Sequence, residues 1–135
     1  MPRPPLARVY ETVLYGGDLE ALAAFYGGVL GLRLVEPMDE LGAAFRLEDG
    51  AMLLLFDPSR ASLPERPIPS HGATGPGHVA FAVRAGSLEE WRTALEAAGV
   101  PIEREVDWKR GAHSVYVRDP VGNSVELAAG ELWPP

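Results

Sequence analysis

Glu11, His78 and Glu126 are the residues of this chain whose types and positions could bind a divalent metal. They are far apart in the sequence but stand at matching places in an internal repeat. Glu11-Thr12-Val13-Leu14-Tyr15 leads through Asp18-Leu19-Glu20 into a helix-like run, and His78-Val79-Ala80-Phe81-Ala82-Val83 leads through Ser87-Leu88-Glu89 into another. Each half then closes with a strand, an acidic turn and a strand: Phe45 to Leu54 around Glu48-Asp49-Gly50, and Val115 to Glu126 around Asp119-Pro120-Val121-Gly122-Asn123. A duplicated module sets four equivalent positions about a pseudo-twofold axis: Glu11, Leu54, His78 and Glu126. One imidazole and two carboxylates suit a borderline or hard ion, namely Fe, Mn, Ni, Co or Zn. Three protein ligands would leave coordination positions open for water or substrate, as catalysis requires.

Alternation along strands decides which faces these residues share. Thr12 and Leu14 lie opposite Glu11, Val79 and Phe81 opposite His78, and Val125 and Leu127 opposite Glu126. The three polar residues therefore fall on the faces away from an apolar, helix-packed core. Two sheets related by the pseudo-twofold are expected to bring those faces together across a shared concavity.

The elements that must position them follow the same repeat. Val9 to Tyr15 reads as a strand and Asp18 as the N-cap of a helix whose stripe is Leu19, Leu22, Ala23, Tyr26, Val29 and Leu30. Leu32 to Glu36 is a strand, and Ala43 to Leu47 with Ala51 to Phe56 a hairpin. The second module opens with His78 to Val83. Ser87-Leu88-Glu89-Glu90 has the form of a capping box before a helix ended by Gly99. Ile102 to Val106, Ala112 to Arg118 and Ser124 to Ala129 complete it. Each half is thus βαβββ, and the expected class is α+β. A single domain over 1–135 would divide into module 1 at about 6–57, a linker at about 58–76 holding five prolines, and module 2 at about 77–130.

Composition narrows the partners. The 135 residues carry a net charge of −7, which argues against nucleic acid, whose phosphates need clustered cations. No cysteine is present, which excludes disulfides and thiolate ligands. No run reaches membrane-spanning length and Met1-Pro2-Arg3-Pro4-Pro5 is no apolar leader, so the expected location is cytoplasmic, with no membrane partner.

The chain resembles the vicinal oxygen chelate superfamily, also called the glyoxalase/bleomycin resistance/extradiol dioxygenase superfamily. The matching text is Ala24-Phe25-Tyr26 with Val29-Leu30-Gly31-Leu32, then Gly77-His78-Val79-Ala80-Phe81, and Val117-Arg118-Asp119-Pro120-Val121-Gly122-Asn123 with Val125-Glu126-Leu127. The resemblance covers nearly the whole chain. It implies metal ligands at Glu11, where the family usually has His, and at His78 and Glu126. The place that supplies a Glu in glyoxalase I enzymes is Leu54, which argues against a four-ligand site of that type. A three-ligand set is closer to extradiol dioxygenases or fosfomycin-modifying transferases. The transferases need a basic anion pocket, whereas Lys109 is the only lysine and no Arg follows Glu126.

In extradiol dioxygenases a Tyr ten residues before the final Glu reaches the active site. Tyr116 has that spacing and is a candidate catalytic helper beside Glu126; a packed ring with its hydroxyl in water is the alternative. Arg46, taken as the first-module counterpart of Tyr116, could hold an anionic group, or lie on the surface. His71 in the linker and His113 at the start of a strand are candidate acid–base groups, while Trp108 and Trp133 could wall a pocket or a subunit contact.

The resemblance implies a metal-dependent lyase, isomerase or dioxygenase that chelates a small oxygen-rich substrate at the metal, and a homodimer. The alternative is a metal-free binding protein like the bleomycin-resistance branch, which sequesters a drug or metabolite without catalysis. Glu11 and Leu54 favour that alternative; His78 and Glu126 oppose it.

Overall fold

The computed structural model describes residues 2–135 and contains two four-stranded mixed sheets. Strand β1 (Glu11–Tyr15) is followed by helix α1 (Leu19–Ala23), which continues as a π-helical turn through Ala24–Val29. Asp18 caps α1 as expected, its Oδ1 accepting from the Ala21 N–H at 3.1 Å. Strands β2 (Arg33–Leu34), β3 (Gly42–Arg46) and β4 (Met52–Phe56) finish the first sheet in the order β1-β4-β3-β2. The second sheet holds β5 (His78–Ala82), β6 (Arg104–Asp107), β7 (His113–Arg118) and β8 (Ser124–Ala129), ordered β5-β8-β7-β6, with helix α3 (Leu88–Ala97) between β5 and β6. The two orders are the same permutation, so the sequence repeat is a structural repeat.

The linker is less irregular than its prolines suggest. Asp57 caps a short helix, α2 (Pro58–Ala61), with Pro58 in its first turn, where a missing N–H costs nothing. The capping box at Ser87 does not form. Ser87 has helical backbone angles, and its hydroxyl donates back to the Arg84 carbonyl at 2.7 Å instead of to the helix. The segment 32–36 keeps only two residues of strand, because Val35 makes a single bond to Ala44 before the chain leaves the sheet at Pro37.

A single core runs through both modules. Leu14, Leu22, Phe25, Tyr26, Phe45 and Leu55 from the first join Leu88, Leu95, Val115, Val125 and Leu127 from the second. These side chains come from the helices and from the strand faces turned toward them. The modules are therefore joined through their helix-covered faces. Gly16 shows how tightly: a Cβ there would lie 2.7 Å from both Leu22 Cδ1 and Val121 Cγ2.

A buried polar pin reinforces the junction. Asp119 Oδ2 accepts from the Tyr26 hydroxyl and from Asn123 Nδ2, each at 2.8 Å, while its Oδ1 accepts the Val121 and Asn123 backbone N–H groups at 3.0 Å. Asn123 in turn accepts from the Gly77 N–H at 2.7 Å and donates to the Tyr15 carbonyl at 3.3 Å. One hairpin turn thus holds the first helix, the end of β1 and the linker. Burial first, then the Asp119 charge, push the Tyr26 hydroxyl far above its usual range, so it stays a donor.

Candidate functional site

The open faces of the two sheets, those away from the helices, carry the candidate residues. On the second sheet the pairing register sets two rows. Ala80, Glu126, Tyr116 and Arg104 lie side by side across β5, β8, β7 and β6, and His78, Ser124 and Arg118 form the next row.

His78 and Glu126 meet in this structure. His78 Nδ1 lies 3.1 Å from the Ser124 carbonyl oxygen, which can only accept, so Nδ1 carries the proton. Nε2 is thereby left to face Glu126 Oε1 at 3.3 Å. Metal-binding histidines are commonly oriented in this way, by a backbone carbonyl on the second ring nitrogen. The separation also fits: two donors each about 2.1 Å from one ion at 90–110° stand about 3.0–3.4 Å apart. The His78 ring stacks near Tyr116, with centroids 6.3 Å apart and planes at 22°.

Glu126 is almost wholly buried, at 4% exposure, and is held from behind by Ser114, which the sequence did not single out, and by Trp108, expected only as a pocket or subunit wall. The Trp108 indole N–H donates to Ser114 Oγ at 2.9 Å, and Ser114 Oγ–H donates to Glu126 Oε2 at 2.6 Å. Indole nitrogen can only donate, so the serine proton is directed at the carboxylate and Oε2 is fixed as an acceptor. Only Oε1 is presented to His78. A signal for Ser114 existed, since it lies two residues from Tyr116 on the same strand face.

Tyr116 sits opposite Glu126 in the ladder. Burial, then the Glu126 charge, raise its pKa, so the hydroxyl stays protonated and able to donate to a substrate oxygen.

Glu11 does not join this pair. Among the described residues no three His, Asp or Glu side chains converge as a shared metal would need. Joining the modules through their helix-covered faces sends the open faces outward, which leaves Glu11 exposed on the first sheet with half-buried Leu54. The shared concavity expected from the pseudo-twofold is therefore not formed between the two modules of one chain.

Three other expectations are corrected. Arg46 pairs with Met52 just as Arg118 pairs with Ser124, so its counterpart is Arg118; Ala44, opposite Leu54, is the counterpart of Tyr116. Both arginines do the same job, donating to a hairpin-turn carbonyl: Arg46 to Gly50 at 3.2 Å and Arg118 to Gly122 at 3.1 Å. His71 is bonded through Nδ1 to the Tyr15 hydroxyl and stacks on Phe56 with centroids 5.8 Å apart. It anchors the linker on the first sheet, away from Glu126.

His113 lies on the helix side, opposite in face to Tyr116. It contacts Glu105 Oε1 at 2.9 Å through Nε2, Asp107 through Nδ1, and Arg92 of α3 at 3.2 Å. Glu105, then Asp107, raise its pKa above the ordinary 6.5, while Arg92 and then His113 lower that of Glu105 to about 2. A raised histidine pKa gives stability that is full below pH 6.5 and lost as pH climbs through the raised value. A lowered carboxylate pKa gives stability that is full above its ordinary 4.5 and lost as pH falls through about 2. Thermal unfolding between pH 5 and 9 should show a small decline on the alkaline side that His113→Gln removes, the exposed position of the cluster limiting its size.

A cleft of about 680 Å³ between the modules is lined by apolar side chains including Leu30, Leu32 and Trp91, and holds neither His78 nor Glu126. A second hollow of about 510 Å³ lies on the open face of the second sheet beside Tyr116.

Comparison with known proteins agrees with this architecture. Residues 8–127 match the family model described as Glyoxalase/Bleomycin resistance protein/Dioxygenase superfamily, and the chain belongs to that superfamily. A crystal structure of lactoylglutathione lyase from Agrobacterium tumefaciens is similar at 44% identity and a TM-score of 0.89, over 96% of this chain and 98% of that one. A glyoxalase/dioxygenase from Nostoc punctiforme shares 26% identity with a TM-score of 0.68, over 97% and 99% of the two chains. A virulence protein from Salmonella typhimurium, 22% identical with a TM-score of 0.73 over 95% and 100%, shares the fold. Among the described residues no helix is long and apolar enough to cross a membrane.

Proposed function

We propose that this protein is a metal-dependent enzyme of the lyase or isomerase type, acting on a small substrate whose neighbouring oxygens chelate the metal. The observation that carries this reading is the His78–Glu126 pair. It couples an imidazole whose Nδ1 is tied to a backbone carbonyl with a buried carboxylate that has one oxygen free. His78 and Glu126 would hold the ion, which would supply Lewis acidity to the substrate oxygens. Tyr116 donates a hydrogen bond to charge developing on a substrate oxygen. Ser114 and Trp108 keep Glu126 in one rotamer and oriented. The similarity to a lactoylglutathione lyase favours lyase chemistry over ring cleavage.

Glu11 completes the ligand set from a second copy of the chain. β1 and β5 are edge strands, and Leu6, Val9 and Tyr10, which lead into β1 next to Glu11, are 98%, 67% and 72% exposed. Such apolar surface is suited to burial in a subunit contact. Sedimentation should show a dimer, and Tyr10→Asp should both dissociate it and weaken metal uptake about tenfold or more, as loss of a ligand contributed in trans requires.

Leu54, and the lack of a third converging ligand among the described residues, favour a second reading, a metal-free binding protein. Elemental analysis of protein purified without chelator separates the two. A transition metal near one equivalent per chain supports the enzyme. Absence of metal, with no uptake on titration, supports the binding protein.

A further inference from the structure

The 510 Å³ hollow beside Tyr116 is lined by Arg104, Val106, Trp108, Tyr116, Arg118 and Ser124, with Glu103 at its side. It adjoins the His78–Glu126 pair, since Tyr116 is the ladder neighbour of both Arg104 and Glu126. The two arginines are not equivalent. Arg118 is engaged: its Nε reaches both Glu103 oxygens, at 3.2 and 3.1 Å, and its Nη1 donates to the Gly122 carbonyl. Arg104 makes no ion pair and no side-chain hydrogen bond among the described residues. With Glu103 and Arg118 cancelling, the hollow carries one net positive charge, that of Arg104. The chain as a whole is at −7, so this is a local exception to an anionic protein.

We propose that Arg104 is the anion-binding residue of the site and that the ligand is a small monocarboxylic acid. Its carboxylate is held by the Arg104 fork, its body lies along Trp108 and Tyr116, and its other end reaches His78 and Glu126. This rests on the reading of His78 and Glu126 as the reacting end. A free guanidinium presents a planar pair of N–H donors that matches the two oxygens of a carboxylate. One uncompensated charge balances a monoanion, whereas a phosphate dianion would leave a negative charge beside Glu126. Trp108 is 41% exposed although its N–H is held by Ser114, so its ring forms a fixed wall. The strand spacing sets the length of the ligand: Arg104 and Glu126 stand two strands apart, about 10 Å between backbones.

The test uses chelator-treated protein, so that it does not depend on the metal. Benzoate, benzamide and phenyl phosphate share a ring and differ in the head group. Each is titrated while the Trp108 indole N–H is followed in a ¹H–¹⁵N spectrum, assigned with Trp108→Phe. Benzoate should give a saturable shift, benzamide none, and phenyl phosphate weaker binding. Arg104→Ala should weaken benzoate about tenfold or more, and Lys109→Ala, at an exposed position nearby, should leave it within about twofold of wild type. Unchanged benzoate affinity in Arg104→Ala, or equal binding of benzamide, overturns the proposal. Tighter binding of phenyl phosphate than benzoate overturns the carboxylate assignment. Because Arg104 is no metal ligand, the metal content of Arg104→Ala should equal wild type. Loss of metal binding alone would sink the enzymatic reading and leave the anion result standing.

Discussion

Glu126→Gln and His78→Ala should each lower affinity for Mn²⁺ or Zn²⁺ by about 100-fold or more, measured by calorimetric titration. The bound reflects what is removed. Changes to groups that merely orient a ligand cost 10–100-fold, and loss of the ligand itself costs more. Gln keeps the volume of Glu126 and can still accept from Ser114, so Glu126→Gln removes charge rather than packing. Ser114→Ala acts differently. It leaves both donors in place but frees Glu126 Oε2, now fixed at 2.6 Å, and should cost about tenfold. If all three variants bind as wild type does, the ion sits elsewhere and the pair is only a buried hydrogen-bonded contact. Circular dichroism of each variant should match wild type, which separates loss of the site from loss of the fold.

The second large effect is on stability. Asp119→Ala should destabilise the protein by about 3 kcal/mol, because it leaves several buried donors without an acceptor. Four hydrogen bonds end on this carboxylate, and one of them, from Tyr26, crosses between the modules. At this chain length the loss corresponds to a fall of roughly 10 °C in Tm. Asp119→Asn does not rescue it: an amide NH₂ at either position would meet donors already pointing inward. Tyr26→Phe removes one donor and leaves the others paired, so it should cost about 1–2 kcal/mol. Urea unfolding of the three variants checks the order. An Asp119→Ala protein as stable as Tyr26→Phe would mean that the turn is not the junction its bonds describe.

Much of the second-sheet site was legible from alternation alone. His78, Tyr116 and Glu126 share a face because strand side chains alternate with period two, and the repeat located the strands. The same rules contained two corrections that the sequence reading missed. His113 is three residues from Tyr116, an odd number, and so must face the helices. Aligning the hairpin turns sets Arg46 six residues before Met52, as Arg118 is six before Ser124, so Arg46 could never match Tyr116. Ser87 shows the limit of local pattern. Its capping box was correct in composition, but a preceding turn through Gly86 at φ +84° carries the hydroxyl to Arg84.

The sequence by itself determined the two βαβββ modules and the faces of their strands, because these follow from periodicity, whereas the contact of His78 with Glu126 came with the long-range parallel pairing of β5 and β8. Tertiary structure alone decided where Glu11 goes. The modules bury their helix-covered faces against each other and lock them through Tyr26, Asp119 and Asn123, so the open faces cannot also close on one another within the chain. Which faces meet depends on burial summed over the whole core, a quantity no local spacing records. Strand pairing within the second sheet set Trp108 and Ser114 behind Glu126 and placed Arg104 in the hollow beside it.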